Sequence, residues 1–130
     1  MDSSLHLYIE KKIDKYYTIF NVNRSLMGSE FLSEAIKLGL GDATLLRKGL
    51  TTRLYPLIAE KFSVSPMQVE RAIRNLIKIS FDRSDVYEAF STLTREPQKD
   101  RLFRPSNGEL ISLCCWRLKV KLEEDGIIIN

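Results

Sequence analysis

Apolar side chains recur every three or four residues along almost the whole chain, which is the spacing of one face of an α-helix. The first such stretch predicts a helix over residues 3–20, and the second predicts a helix that Gly39 and Gly41 end. The apolar positions that define these two helices are Leu5, Ile9, Ile13, Tyr16, Tyr17 and Phe20, and then Phe31, Leu32, Ala35, Ile36 and Leu38.

A third helix is predicted to begin at Asp42, whose side chain can cap it, and to run to Leu54. Pro56 has no backbone N–H, so this helix must either kink at the proline or begin again there as residues 56–62. In either case residues 56–62 are predicted to be helical.

The next boundary has the clearest signal in the chain. Ser65 stands at an N-cap, Pro66 at the first helical position and Gln68 at the third, which together form a capping box. We expect the helix that follows to run from Pro66 to about residue 83.

The last third of the chain predicts a shorter helix over 86–93, a polar and basic loop over 95–105, and a final helix. Ser106 and Glu109 form a second capping box at the start of that helix, which continues to Leu122. No strand alternation, repeat or linker is visible, so the chain is predicted to be a single compact all-α domain of about six helices. We divide it into an N-terminal helix and loop (1–25), a main domain (26–125) and a short apolar tail (126–130) that can fray, pack on the core or pair with a partner.

The helix after Pro66 separates into two faces when each residue is advanced by about 100°. Its apolar side chains fall between about 140° and 280°, and its polar ones cover the opposite side. Arginine can fork onto guanine, Asn or Gln onto adenine, and Glu onto cytosine in the major groove of DNA. A plain amphipathic helix with a solvated face, in which Glu70 and Arg74 form a surface pair, explains the same periodicity. The polar face consists of Gln68, Glu70, Arg71, Arg74, Asn75 and Lys78.

The preceding segment favours the DNA-binding interpretation. A short helix over 57–62, a turn over 63–65 and the amphipathic helix have the spacing of a helix–turn–helix, whose second helix can enter DNA. Net charge over the whole chain is only +3, but residues 45–80 hold seven basic side chains against two acidic ones. Such a surplus is typical of a phosphate-binding face. We expect phosphate contacts from Lys48, Arg53, Lys61, Ser65 and Lys78.

The sequence lacks the residues that most classes of catalytic site and metal site require. His6, Cys114 and Cys115 cannot supply the four ligands of a zinc site, and no glycine-rich phosphate loop is present. Adjacent cysteines on one helix point about 100° apart, so we expect both to be reduced and at most one to face the core. We therefore expect no enzyme activity, cofactor or metal. The absence of a signal peptide and of a membrane-length apolar run predicts a cytoplasmic protein without membrane contact.

The central block resembles the DNA-binding effector domain of the stage-zero sporulation master regulator of endospore-forming bacteria. The similarity covers about residues 26–121 in the same order, and the first helix matches poorly. The residues that carry it are Leu54-Tyr55-Pro56, Ile58-Ala59-Glu60-Lys61-Phe62 and Val69-Glu70-Arg71-Ala72-Ile73-Arg74, with weaker matches at Gly28, Phe31-Leu32, Glu34-Ala35-Ile36, Leu45-Leu46, Arg104-Pro105-Ser106-Asn107 and Glu109.

This resemblance implies an all-helical transcription factor that binds a short box of double-stranded DNA, usually as tandem copies on one duplex. It also implies a contact between the RNA polymerase sigma subunit and the stretch 81–90. The base contacts and adjacent phosphate contacts that it implies come from Gln68, Glu70, Arg71, Arg74 and Asn75.

Two further expectations concern the ends of the chain and a competing function. Residues 1–23 do not resemble the phosphoacceptor domain of that regulator, which favours a stand-alone protein over an excised domain. The first helix offers a surface for a homodimer on tandem sites, unless it simply packs on the core. The alternative function is a helical interaction module that sequesters a regulator or polymerase subunit without binding DNA.

Overall fold

The computed structural model describes residues 3–81 and 104–127, and every regular element within these ranges is helical. The predicted all-α domain is therefore confirmed. The predicted helix 86–93 and the loop from residue 95 to residue 103 lie outside the described residues. The elements are α1 (Ser3–Phe20), α2 (Met27–Gly41), α3 (Thr44–Arg47), a π-helical turn (Leu50–Leu54), α4 (Tyr55–Phe62), α5 (Pro66–Ser80) and α6 (Asn107–Glu124).

Helix α2 lies at the centre of the fold, where it packs against both α5 and α6. Helix α1 buries its apolar stripe in the same core, so the stripe predicted from the sequence serves intrachain packing. At the other end of the chain Ile127 also packs on this core, and its N–H donates to the Leu122 carbonyl at 2.8 Å. The core side chains that α1 supplies are Ile9, Ile13, Tyr16, Tyr17 and Phe20.

Two glycines of α2 permit close packing rather than ending the helix. A Cβ on Gly28 would overlap the main-chain oxygen of Ala72, so α2 and α5 touch backbone to backbone. The expectation that Gly39 helps to end α2 is wrong, because the helix continues through it to Gly41. A Cβ on Gly39 would lie 2.8 Å from Leu46 and 3.0 Å from the Cys115 sulfur, so the packing leaves no room for a side chain at this position.

Both cysteines of α6 are buried, which corrects the expectation that at most one faces the core. The reason is that α6 packs on α2 and also on α1, so two of its faces are covered. Both thiols are free, as expected, and the Cys115 thiol donates to the Ile36 carbonyl at 3.3 Å. Burial raises the pKa of both thiols, that of Cys115 to about 12, which leaves little reactive thiolate.

The predicted third helix is wrong as a continuous element, because it is broken twice. Ala43 stands at the N-cap of α3, but an Asp42 carboxylate oxygen accepts from the Thr44 N–H at 3.0 Å and so satisfies a donor at the start of the helix. The α-helix ends after one turn, and the chain rewinds as the π-helical turn, in which the Leu54 N–H donates to the Gly49 carbonyl at 2.7 Å. Pro56 then stands in the first turn of α4, where its missing N–H costs no intrahelical bond. Helix α4 begins at Tyr55, directly after the π-helical turn, so the backbone is already helical when it reaches Pro56.

The turn between α4 and α5 places Ser63 in the left-handed region, with φ of 56°. This conformation closes α4, because the N–H of Val64 returns to the Ala59 carbonyl at 3.0 Å. A left-handed conformation costs a residue with a Cβ about 1–2 kcal/mol, whereas glycine adopts it freely.

We expect Ser63→Gly to raise the free energy of unfolding by about 1 kcal/mol, because it relieves that strain at an exposed position. Thermal unfolding followed by circular dichroism measures the change. Ser63→Ala is the matched control, since it removes the hydroxyl but keeps the Cβ. Equal midpoints for Ser63→Gly and Ser63→Ala would show that the left-handed turn stores no strain.

Candidate nucleic-acid interface

The start of α5 is fixed by the capping box that the sequence predicts. The Ser65 Oγ accepts from the Gln68 N–H at 3.1 Å, and the Gln68 side-chain oxygen accepts from the Ser65 N–H at 2.7 Å. These two bonds satisfy donors that a helix start leaves unpaired. Ser65 and Gln68, two of the predicted contact residues, are exposed, and their side chains also stabilise the start of α5.

Helix α5 buries one face and leaves the other in solvent. Its core face is the apolar stripe predicted from the sequence, with Val69 and Ile73 fully buried. Its outer face projects away from the body of the protein, and Glu70 at its edge is half-buried. The exposed residues of the outer face that the sequence singled out are Gln68, Arg71, Arg74, Asn75 and Lys78.

A wide groove of about 910 Å³ runs along this outer face. Its walls are α5, the π-helical turn and the first residues of α6, so three separate segments of the chain form it. The part of its lining that the described residues supply is basic, with a single carboxylate. The charged residues that line it are Glu70, Arg71, Arg74, Lys78 and Arg104.

The arginines of the groove differ in their partners. The Arg74 guanidinium lies 3.6 Å from the Glu70 carboxylate, one helical turn away. Among residues 3–81 and 104–127, Arg71 and Lys78 have no ion-pair partner. The surface pair that the plain amphipathic-helix interpretation requires is thus present, yet it neutralises only one of the three cations of α5.

The buried side-chain amide of Asn107 links α5 to the rest of the fold. Asn107, at the start of α6, is 9% exposed, and its Nδ2 donates to the Tyr55 hydroxyl and to the Glu70 main-chain oxygen, both at 3.1 Å. One side chain therefore links the first residues of α4 and α6 to the middle of α5. Burial raises the pKa of Tyr55 above its ordinary value, so its hydroxyl stays neutral in this contact.

The predicted phosphate contacts do not form one cluster. Lys78 lies in the groove, whereas Lys48 and Arg53 line a smaller basic hollow at the end of α3 together with Arg47. Arg53 is held there at 3.2 Å from the Asp42 carboxylate. Lys61 lies in a different hollow, and its ammonium is 2.9 Å from Glu34 of α2.

Several residues of the groove were not among the candidates chosen from the sequence, and Thr51 and Arg104 are two of them. Thr51 comes from the π-helical turn, and Arg104 comes from the segment that enters α6. Neither is near α5 in sequence, and periodicity along one helix cannot find a residue that tertiary packing supplies. The only local signal was the position of Arg104 just before a capping box.

Comparison with known families agrees with this geometry. The family model described as sporulation initiation factor Spo0A C terminal matches residues 13–118, which is most of the chain and includes every residue of the groove. The chain belongs to the Spo0A C-terminal family. The predicted resemblance to this effector domain is confirmed.

Membership in the Spo0A C-terminal family assigns the chain to DNA-binding regulatory domains of sporulation rather than to an enzyme class. His6 is a surface side chain of α1, 57% exposed, and its Nε2 lies 3.7 Å from the Glu10 carboxylate. None of the helices in the described part of the chain is long and apolar enough to cross a membrane.

Proposed function

We propose that this chain is a sequence-specific DNA-binding transcriptional regulator, and that α5 is its recognition helix. The observation that carries the proposal is the free outer face of α5: Arg71 and Arg74 point into open solvent instead of against the body of the protein. A helix about 10 Å wide fits the major groove, and α5 is the second helix of a helix–turn–helix. Residues 26–125 would form the DNA-binding unit.

Base recognition would come from the outer face of α5. Arg71 presents a guanidinium that has no ion-pair partner within residues 3–81 and 104–127, and its two parallel donors match the O6 and N7 atoms of guanine. Arg74 would have to exchange Glu70 for a base, and the released Glu70 carboxylate could accept from cytosine. Gln68 and Asn75 lie together at one edge of the same face and offer amide pairs to adenine.

Phosphate contacts would flank that face. Lys78 on α5 and Arg104, in the segment that enters α6, both line the groove, so a sugar–phosphate strand that follows the groove would pass within reach of both. Ser65 is exposed at the N-terminus of α5, where a phosphate would meet the positive end of the helix dipole. Lys48 and Arg53 supply a second basic area, and Lys61 would contribute only after it leaves Glu34.

The same proposal includes the partners that the family suggests. Tandem copies on one duplex would bring two chains together, although α1 has its apolar stripe buried within its own core. A sigma-subunit contact would involve the stretch 81–90, of which 82–90 lie outside the described residues. A DNA partner also implies the cytoplasmic location expected from the sequence.

Selection of bound oligonucleotides from a random pool tests the proposal. We expect one short sequence to be enriched, and its repeats to show whether sites come in tandem. Duplex of that sequence should raise the melting temperature of the protein by mass action. A pool without enrichment, together with an unchanged melting temperature, would reject DNA binding and favour the interaction module that sequesters another protein.

We expect Lys78→Ala to weaken binding to all duplexes alike, because a phosphate contact holds no sequence information. In a titration against salt, the negative slope of the logarithm of the binding constant against the logarithm of the salt concentration should become shallower by about 0.9 for the lost contact. Lys15→Ala on α1 removes the same charge from an exposed position remote from the groove, and it should leave the slope unchanged. Equal slopes for wild type and Lys78→Ala would place this lysine outside the interface.

A further inference from the structure

The most exposed of the large apolar side chains in the described residues stands on the outer face of α5. Met67 is 59% exposed, and it lies one helical turn before Arg71. Counting about 100° per residue, Met67, Arg71, Arg74 and Lys78 fall within a sector of about 60°. The row that faces away from the protein therefore begins with a methionine and continues with three cations.

Neither the core nor the helix cap uses this methionine. The buried stripe of α5 lies on its opposite side, at Val69, Ile73 and Leu76. Both bonds of the capping box are made by Ser65 and Gln68. Single exposed apolar residues are common on protein surfaces, but this one lies among the charges of the face proposed to meet DNA.

We infer that Met67 reads the C5-methyl group of a thymine in the major groove, an inference that rests on the proposed function. The first turn of a recognition helix reaches the base edges, and the thymine methyl is the apolar group exposed there. An unbranched thioether chain is long and flexible enough to fit against it. With a rise of about 1.5 Å per residue, Met67 precedes Arg71 by about 6 Å, which places the thymine within about two base pairs of the base that Arg71 contacts.

Deoxyuridine tests this contact, because it differs from thymidine only in that methyl group. In the selected duplex each thymine is replaced singly, and dissociation constants are measured for wild type and for Met67→Gln. We expect one replacement within the predicted two base pairs to weaken wild-type binding by about fourfold, the value for one buried methyl group. Met67→Gln should bind the thymine and uracil duplexes equally.

Met27→Gln is the matched control. Met27 is 50% exposed and is the first residue of α2. Through Gly28 this helix packs against the core side of α5 and not against its outer face. This variant should keep the full penalty for uracil at the same position. Circular dichroism should show native helix content for both glutamine variants.

The possible results separate the two proposals. A wild-type chain that binds no duplex overturns the proposed function, and the methionine contact with it. If the chain does bind a selected site, three results would each overturn the methionine contact alone. These are a site with no thymine within reach, no loss of binding on any uracil replacement, and a Met67→Gln variant that retains the penalty. A fourfold effect that is present in wild type and Met27→Gln and lost in Met67→Gln supports the contact.

Discussion

Gly28→Ala is expected to lower the free energy of unfolding by about 3 kcal/mol, one of the two largest effects that we predict. The added methyl would overlap the main-chain oxygen of Ala72 and come within 3.1 Å of the Leu76 Cβ. Backbone atoms cannot rotate out of the way as a side chain can, so α2 and α5 would have to separate. Urea unfolding followed by far-ultraviolet circular dichroism measures the loss.

The same helix offers the control. Gly41 ends α2, and a Cβ there would meet no atom within 4 Å. Gly41→Ala should therefore change the free energy of unfolding by less than about 1 kcal/mol, since only helix propensity is altered. If both alanine variants unfolded at the same urea concentration, the backbone contact between α2 and α5 would not be tight in solution.

This contact matters for the proposed function because it fixes the position of α5. Gly28 lets the core face of α5 approach α2, and Asn107 ties the Glu70 carbonyl to the start of α6. The positions of the exposed arginines are therefore set from two sides, by the close approach of Gly28 and by the hydrogen bond of Asn107. A recognition helix fixed in this way loses little conformational entropy when it binds.

Local signals in the sequence were sufficient for the elements that carry the proposed site. Both capping boxes depend on side chains three residues apart, and the structure forms all four of their hydrogen bonds. The two faces of α5 follow from periodicity alone, because a helix of 15 residues repeats its pattern four times. The helix–turn–helix spacing adds only a three-residue turn to these signals.

Features that depend on distant parts of the chain could not be predicted in this way. Gly39 has the local appearance of a helix end, but its neighbours are Leu46 and Cys115, which only the folded chain brings there. Both cysteines are buried because α1 and α2 cover different faces of α6. Arg104 joins the groove for the same reason, since the packing of α6 carries it beside α5.

Charge counting along the sequence had a related weakness. Arg53 and Lys61 contribute to the basic surplus of residues 45–80, but their partners are Asp42 and Glu34, which lie before that window. The local surplus therefore overstates the charge of the folded surface. The cations of α5 are less affected, because Glu70 is the only carboxylate among the described residues that line their groove.

The second large effect is expected for Arg71→Ala, which should weaken binding to the selected DNA site by about 1–3 kcal/mol and relax the preference at one base pair. The side chain is exposed, and among the described residues it has no ion-pair partner, so it can form both hydrogen bonds to guanine without breaking a contact. Arg74→Ala should have the smaller effect, because Arg74 must first leave Glu70. Competition mobility-shift titrations with site variants measure both.

Arg71→Lys separates the charge of this residue from its geometry. Lysine keeps the positive charge but lacks the planar fork, so binding to unrelated duplexes and the salt slope should stay at the wild-type level. Discrimination at the affected base pair should nevertheless decrease as it does in Arg71→Ala. If Arg71→Lys instead kept full discrimination, or if Arg71→Ala bound the selected site as tightly as wild type, α5 would not read bases through this arginine. The fold would then present its basic groove to another partner.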